Sequence, residues 1–152
     1  DQTLDSAVRD SVNWYFQKLD ASIGRSNIQN FLNEIDYGNQ RIGNSLETYW
    51  LDQSLKISAV EQVELLIRFE QNQFQFKEKN IQAVKDSLLL SSDSGRSLYG
   101  KTGTIRTNEG DSSGWFIGYS KTPDNTFYFA VSVRGEQASG AAAQKIAGKI
   151  LF

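Results

Sequence analysis

Cysteine, histidine and methionine are all absent from these 152 residues, and proline occurs once. Without histidine or cysteine there is no Ser-His-Asp triad, no Cys-His pair and no zinc site built from those ligands. Missing cysteine says nothing about redox compartment, because secreted domains also do without disulfides. Missing methionine means that the sequence does not start at a translation start. It therefore reads as a processed product or a fragment from which a targeting signal can have been removed. No apolar run approaches the length that crosses a bilayer. An excess of one charge is lacking too: 16 basic and 18 acidic side chains leave a formal charge of −2. Nucleic acid is thereby excluded as an expected partner, since clustered Lys/Arg is needed to displace counterions from phosphates. What is present, 39% hydrophobic and 12% aromatic residues, is the profile of a packed globule. The length suits one domain or most of one.

Glycine is scarce early and plentiful late. Three of the twelve (Gly24, Gly38 and Gly43) precede residue 91. With no repeat or low-complexity run between the two parts, residues 1–152 read as one unit, mainly helical over 1–90, with three strands and a closing helix over 91–152. Leu4, Val8, Val12, Tyr15, Phe16, Leu19 and Ile23 recur at three- and four-residue spacing, which predicts one long amphipathic helix ended by Gly24. A short helix capped by Ser26 comes next, with Ile28, Phe31, Leu32 and Ile35 inward. Residues 37–44 have loop chemistry. Ser58-Ala59-Val60-Glu61 is a capping box that opens another helix, and a further helix is expected over 79–90. After the serine-rich stretch 91–95 the period changes to two. Residues 97–104, the run through Trp115, Ile117 and Tyr119, and the run from Phe127 to Val133 read as strands. The last two are joined by a turn at Pro123-Asp124-Asn125, and the alanine-rich stretch 138–151 reads as a helix on the sheet. The fold class is α+β, a helical body beside a small antiparallel sheet.

Two segments carry candidate chemistry. In Lys101-Thr102-Gly103-Thr104, strand alternation sends Lys101 and Gly103 to one face and Thr102 and Thr104 to the other. Both sets serve one ligand only if it lies along an exposed strand edge, in the manner of strand addition. Gly103 permits close approach, the ammonium and hydroxyls attract a carboxylate, and a backbone N–H can stabilise an oxyanion. The plainer alternative is a surface turn with an ordinary lysine. In Ser11-Val12-Asn13, residues two apart do not share a helix face, so a joint role requires a distorted turn. The plainer alternative is two polar residues on a solvated helix side.

Together these segments resemble the serine-acylating penicillin-recognising enzymes. Ser11-Val12-Asn13, Tyr37-Gly38-Asn39, Tyr49-Trp50-Leu51 and Lys101-Thr102-Gly103, then Gly114-Trp115-Phe116-Ile117-Gly118-Tyr119, occur in order and at rough spacing. The chain is similar to the later part of a class D (oxacillinase-type) β-lactamase or of the related penicillin-sensing receptor domains. Leu55-Lys56-Ile57-Ser58-Ala59-Val60-Glu61-Gln62 resembles that family's connecting helix. The fold implied is serine β-lactamase/transpeptidase-like.

The resemblance implies roles residue by residue. Ser11 relays a proton between nucleophile and leaving nitrogen. Lys101 supplies positive charge, Thr102 and Thr104 meet the substrate carboxylate, and the backbone N–H of Thr104 joins the oxyanion hole beside Gly103. Trp50 hydrogen-bonds the general-base lysine, Asn13 lines the substrate site, Tyr37-Gly38-Asn39 is architectural, and Trp115 belongs to the core. β-Lactam antibiotics are the implied ligand, an extracytoplasmic setting the implied location, and neither metal nor separate cofactor is expected. The family's carbamylated lysine is not in this chain, and no Ser-x-x-Lys tetrad occurs in the sequence. Asn13 stands where typical class D enzymes have valine, and Ala143 where many have a carboxylate-binding arginine. Three functions are implied: β-lactam hydrolysis by the parent protein, favoured on these residues; a sensor acylated without turnover; and an inactive fragment.

Overall fold

Apolar residues at helical spacing fill the first half of the chain. A computed structural model, which describes residues 1–107 and 110–151, turns them into five helices. These are α1 (Leu4–Arg9), α2 (Asn13–Ile23), α3 (Arg25–Glu34), α4 (Ala59–Glu70) and α5 (Glu78–Leu88). Two compact units divide at Ser87/Leu88, beside the point where the hydrophobic period changes.

The long helix expected over residues 4–23 is two helices. α1 opens with a Thr3/Ser6 capping box and closes in a Schellman arrangement. The Val12 N–H reaches back to the Ala7 carbonyl (2.9 Å), and the Ser11 N–H to that of Val8 (3.3 Å). Ser11 takes the left-handed position of that motif, with φ +54°, a place that usually belongs to glycine. The apolar period continues across the break, which hides it from a pattern search. Gly24 (φ +83°) closes α2 as expected and also opens α3. One glycine joining both helices leaves no place for the expected Ser26 cap, and no side chain caps α3. The Ser58/Glu61 capping box of α4 forms as expected.

The core of the first unit gathers Ile28 and Leu32 of α3 with Ile42 and Tyr49, and packs Tyr37, Leu46, Trp50 and Leu55 around them. Tyr37-Gly38-Asn39 is the brace of this loop region. The Asn39 amide donates to the Ser54 carbonyl (2.8 Å) and its oxygen accepts the Lys56 N–H (2.9 Å). At Gly38 (φ +47°) an added Cβ would lie 2.0 Å from the Lys56 carbonyl oxygen, so the chains approach as closely as they do only with glycine there.

In the second unit, β1 (Leu89–Asp93), β2 (Arg96–Thr107), β3 (Gly110–Lys121) and β4 (Thr126–Arg134) form an antiparallel sheet in chain order, and α6 (Gly140–Leu151) closes the chain. Among the described residues four strands replace the expected three. Leu88, Leu89 and Leu90 prolong the helical pattern, but Ser94 and Gly95 both have positive φ (49° and 84°). They make a two-residue hairpin turn that folds 89–93 onto 96–99. Phe116 and Phe129, flanked by Val131 and Val133, face Ala143 and Ala147 of α6. Trp115, expected in this core, is only half-buried. It points to the other face, because α6 covers the side carrying Gly114, Phe116 and Gly118. On Trp115's side Tyr119 stacks on Tyr99 with ring centroids 4.6 Å apart.

Candidate active-site elements

β2 runs well past the end of its first neighbour. The β1–β2 ladder stops at Leu89↔Tyr99, and from Gly100 onward β2 pairs with β3 alone among the described residues. Lys101, Thr102, Gly103 and Thr104 stand in that stretch, opposite Ile117, Phe116, Trp115 and Gly114. The ladder therefore places Thr102 and Thr104 on the α6 side and Lys101 and Gly103 on the other, the split that strand alternation predicts.

Lys101 is half-buried, and its Nζ donates to the Thr102 carbonyl at 2.6 Å. Burial pulls its ammonium below the ordinary lysine value, because desolvation disfavours the charged form. Such a cation is attracted to an incoming anion that replaces the lost water. On the opposite face Thr104 Oγ1 accepts the backbone N–H of Gly140, the first residue of α6, at 3.0 Å. Ala143, the position that the resemblance sets against a class D arginine, is fully buried among Phe116, Phe129 and Ala147. Gly140-Ala141-Ala142-Ala143 contributes no basic side chain to the first turn of α6.

In the first unit, Ser11 sits exposed on the left-handed turn and Asn13 is the first residue of α2. Since the backbone between them is not helical, the rule that residues two apart diverge does not apply. Trp50 is half-buried, and its indole N–H donates to Asp20 Oδ2 (3.3 Å), which also accepts the Tyr49 hydroxyl (3.2 Å). No motif of the sequence singles out Asp20. Its only mark there is an acidic residue four positions after Phe16 in an apolar helix.

Burial raises the Asp20 carboxyl above its ordinary value of 3.8, against the lowering effect of its Tyr49 and Trp50 bonds. Burial first, and then the Asp20 charge, push the Tyr49 phenol up as well. The native state thus holds the Asp20 proton more tightly than the unfolded chain does. Its contribution to stability is fully present below 3.8 and is lost as pH rises through the elevated folded value. Asp20→Asn keeps an acceptor for both donors and removes the buried charge. The expected outcome is a higher urea midpoint at neutral pH and a flatter stability profile on the acid side. An unchanged profile would show that Asp20 does not titrate in that window.

The same strand edge and the same helical turn lie in a chain with many known relatives. The family model described as the penicillin binding protein transpeptidase domain matches residues 1–151. The regulatory protein BlaR1 of Bacillus licheniformis is 50% identical over 152 residues, 99% of this chain but 25% of that protein. The chain thus spans about a quarter of that relative. The solved C-terminal domain of the Bacillus licheniformis BlaR penicillin-receptor superimposes with a TM-score of 0.94 at 50% identity, covering 99% of this chain and 61% of that one. A class D β-lactamase structure from Bacillus subtilis gives 0.92 at 34% identity, with 99% and 61% covered. A match along nearly the whole chain, on helices and an antiparallel sheet that hold every motif in order, makes this chain a member of the penicillin-binding-protein transpeptidase domain family.

Proposed function

We propose that this chain is part of a domain that binds β-lactam antibiotics and forms a serine acyl adduct with them. The observation that carries this reading is the edge of β2: Lys101-Thr102-Gly103-Thr104 extends beyond β1 with backbone along one rim and cation and hydroxyls on its two faces. A β-lactam is a strained, peptide-like amide with a carboxylate. Its amide groups pair with the strand edge, its carboxylate meets Thr102 and Thr104, and Lys101 supplies positive charge from the other face. During acylation a serine oxygen bonds to the lactam carbonyl carbon and the C–N bond breaks. The serine's proton ends on the leaving nitrogen, carried through Ser11. Asn13 and Gly103 line the ligand, and Trp50, whose one indole N–H is given to Asp20, flanks the base without the hydrogen bond that the resemblance implies. The setting is extracytoplasmic, where such drugs are met.

Hydrolysis and sensing share the acylation step and differ only in the fate of the adduct. The sensor reading is favoured by 50% identity to a penicillin receptor, against 34% to a class D β-lactamase. Asn13 in place of the usual valine points the same way. The hydrolytic reading is supported by the shared fold and by the serine of Ser11-Val12-Asn13 and the Lys-Thr-Gly element. Mixing the full-length protein with a chromogenic cephalosporin separates them. We expect one equivalent of ring opening per protein and then no steady rate. Sustained turnover would establish the hydrolase instead, and failure of a fluorescent penicillin to label the protein would overturn both readings.

A further inference from the structure

α6 lacks an arginine in its first turn, yet it reaches the carboxylate-binding strand by another route. The Gly140 N–H bonds Thr104 Oγ1 at 3.0 Å. A Cβ on Gly140 would lie 2.8 Å from the Gly103 carbonyl oxygen, 2.8 Å from Thr102 Cβ and 3.0 Å from the Gly103 nitrogen. The start of α6 is therefore pressed onto three consecutive residues of the candidate ligand strand. The strand opposite makes room for the same contact. Gly114, paired with Thr104, would place a Cβ 2.0 Å from the Ser139 carbonyl oxygen. The connecting turn is tied down as well: the Gly135 N–H donates to the Ser112 carbonyl (3.1 Å), and Ser112 bridges Ala138.

We infer that Gly140 is a positioning residue for ligand carboxylate recognition, acting through Thr104. A threonine hydroxyl has one proton to give and lone pairs to accept. With the Gly140 N–H occupying an acceptor site, the oxygen is fixed in place and its proton is turned toward whatever lies beyond. A carboxylate can only accept, and a hydroxyl proton directed in this way is available to it. The bonded N–H also polarises the hydroxyl and strengthens its donation. Glycine is required because the contact distances leave no space for a side chain. α6 thus serves the anion through a backbone donor.

This inference rests on reading β2 as the β-lactam strand, and the test keeps the two apart. In the full-length protein, acylation rates are measured for a penicillin and for its methyl ester, which lacks the negative charge. Gly140→Ala is expected to lower the acid-to-ester rate ratio about tenfold, the scale of one hydrogen bond to a charged group. The ester rate should fall as well, because a Cβ there displaces the Gly103 backbone, but by clearly less than the acid rate. In a Thr104→Val background, Gly140→Ala should leave the ratio unchanged, because the two act in series. Equal losses for acid and ester would make Gly140 merely structural and overturn the inference. If Gly140→Ala does not fold, the amide resonance of Gly140 in the wild-type protein decides the matter. It should shift on acylation by the acid and not by the ester, and equal shifts would refute the inference. Wild-type protein that reacts with neither compound would overturn the β-lactam reading itself.

Discussion

Lys101→Ala in the full-length protein should slow acylation by a β-lactam about 10²–10³-fold, the loss typical of one preorganised electrostatic donor. The melting temperature should move by only a few degrees. The side chain is half-buried and its ammonium bonds the adjacent Thr102 carbonyl. Losing that bond costs on the order of 1 kcal/mol, or about 2–4 °C for a chain of this size. The pH profile supplies a second signature. Burial lowers the pKa of this ammonium, so its charge is lost at a lower pH than that of an ordinary lysine. The acylation rate should fall as pH rises through that value. Lys101→Arg should push this alkaline limb upward and Lys101→Ala should remove it. A large stability loss with an unaltered pH profile would make Lys101 a structural residue.

The parts legible in the sequence are those whose cause is local. Gly24 ends α2 because it alone tolerates φ +83° readily, and Ser58 opens α4 because its hydroxyl and the Glu61 carboxylate cap each other's backbone. Strand alternation alone separates Lys101 and Gly103 from Thr102 and Thr104, with no knowledge of how the strands pair. The parts that were not legible depend on partners distant in the chain. Nothing in Leu88-Leu89-Leu90 says that a strand begins there until the Ser94-Gly95 turn brings 96–99 alongside. Trp115 and Phe116 are equally apolar, and only the position of α6 decides which one is buried. Asp20 looks like one polar residue on a helix, and its role comes from Tyr49 and Trp50, some thirty residues away. Gly140 reads as an ordinary helix start until Thr104, 36 positions earlier in the chain, is found bonded to it.

Ser11 joins the local and the distant in one residue, and Ser11→Gly should separate them. At φ +54° the serine Cβ crowds its own backbone, at a cost of about 1–3 kcal/mol that glycine does not incur. Even after glycine's greater unfolded-state freedom is counted, Ser11→Gly should stabilise the domain by roughly 0.5–1 kcal/mol in urea unfolding. Acylation should fall about 10²–10⁴-fold in the same variant, since the hydroxyl proposed to carry the proton is gone. Ser11→Ala provides the comparison, because it removes the hydroxyl but keeps the crowded Cβ. It should lose acylation to the same extent without the gain in stability. A serine held where glycine would be more stable is then explained by its chemistry, with fold stability given up at the turn for a hydroxyl in a fixed place. If both variants acylated at the wild-type rate, Ser11 would carry no proton. If Ser11→Gly destabilised the domain as much as Ser11→Ala, the hydroxyl would be holding the α1–α2 turn together, and the strain would have no functional meaning.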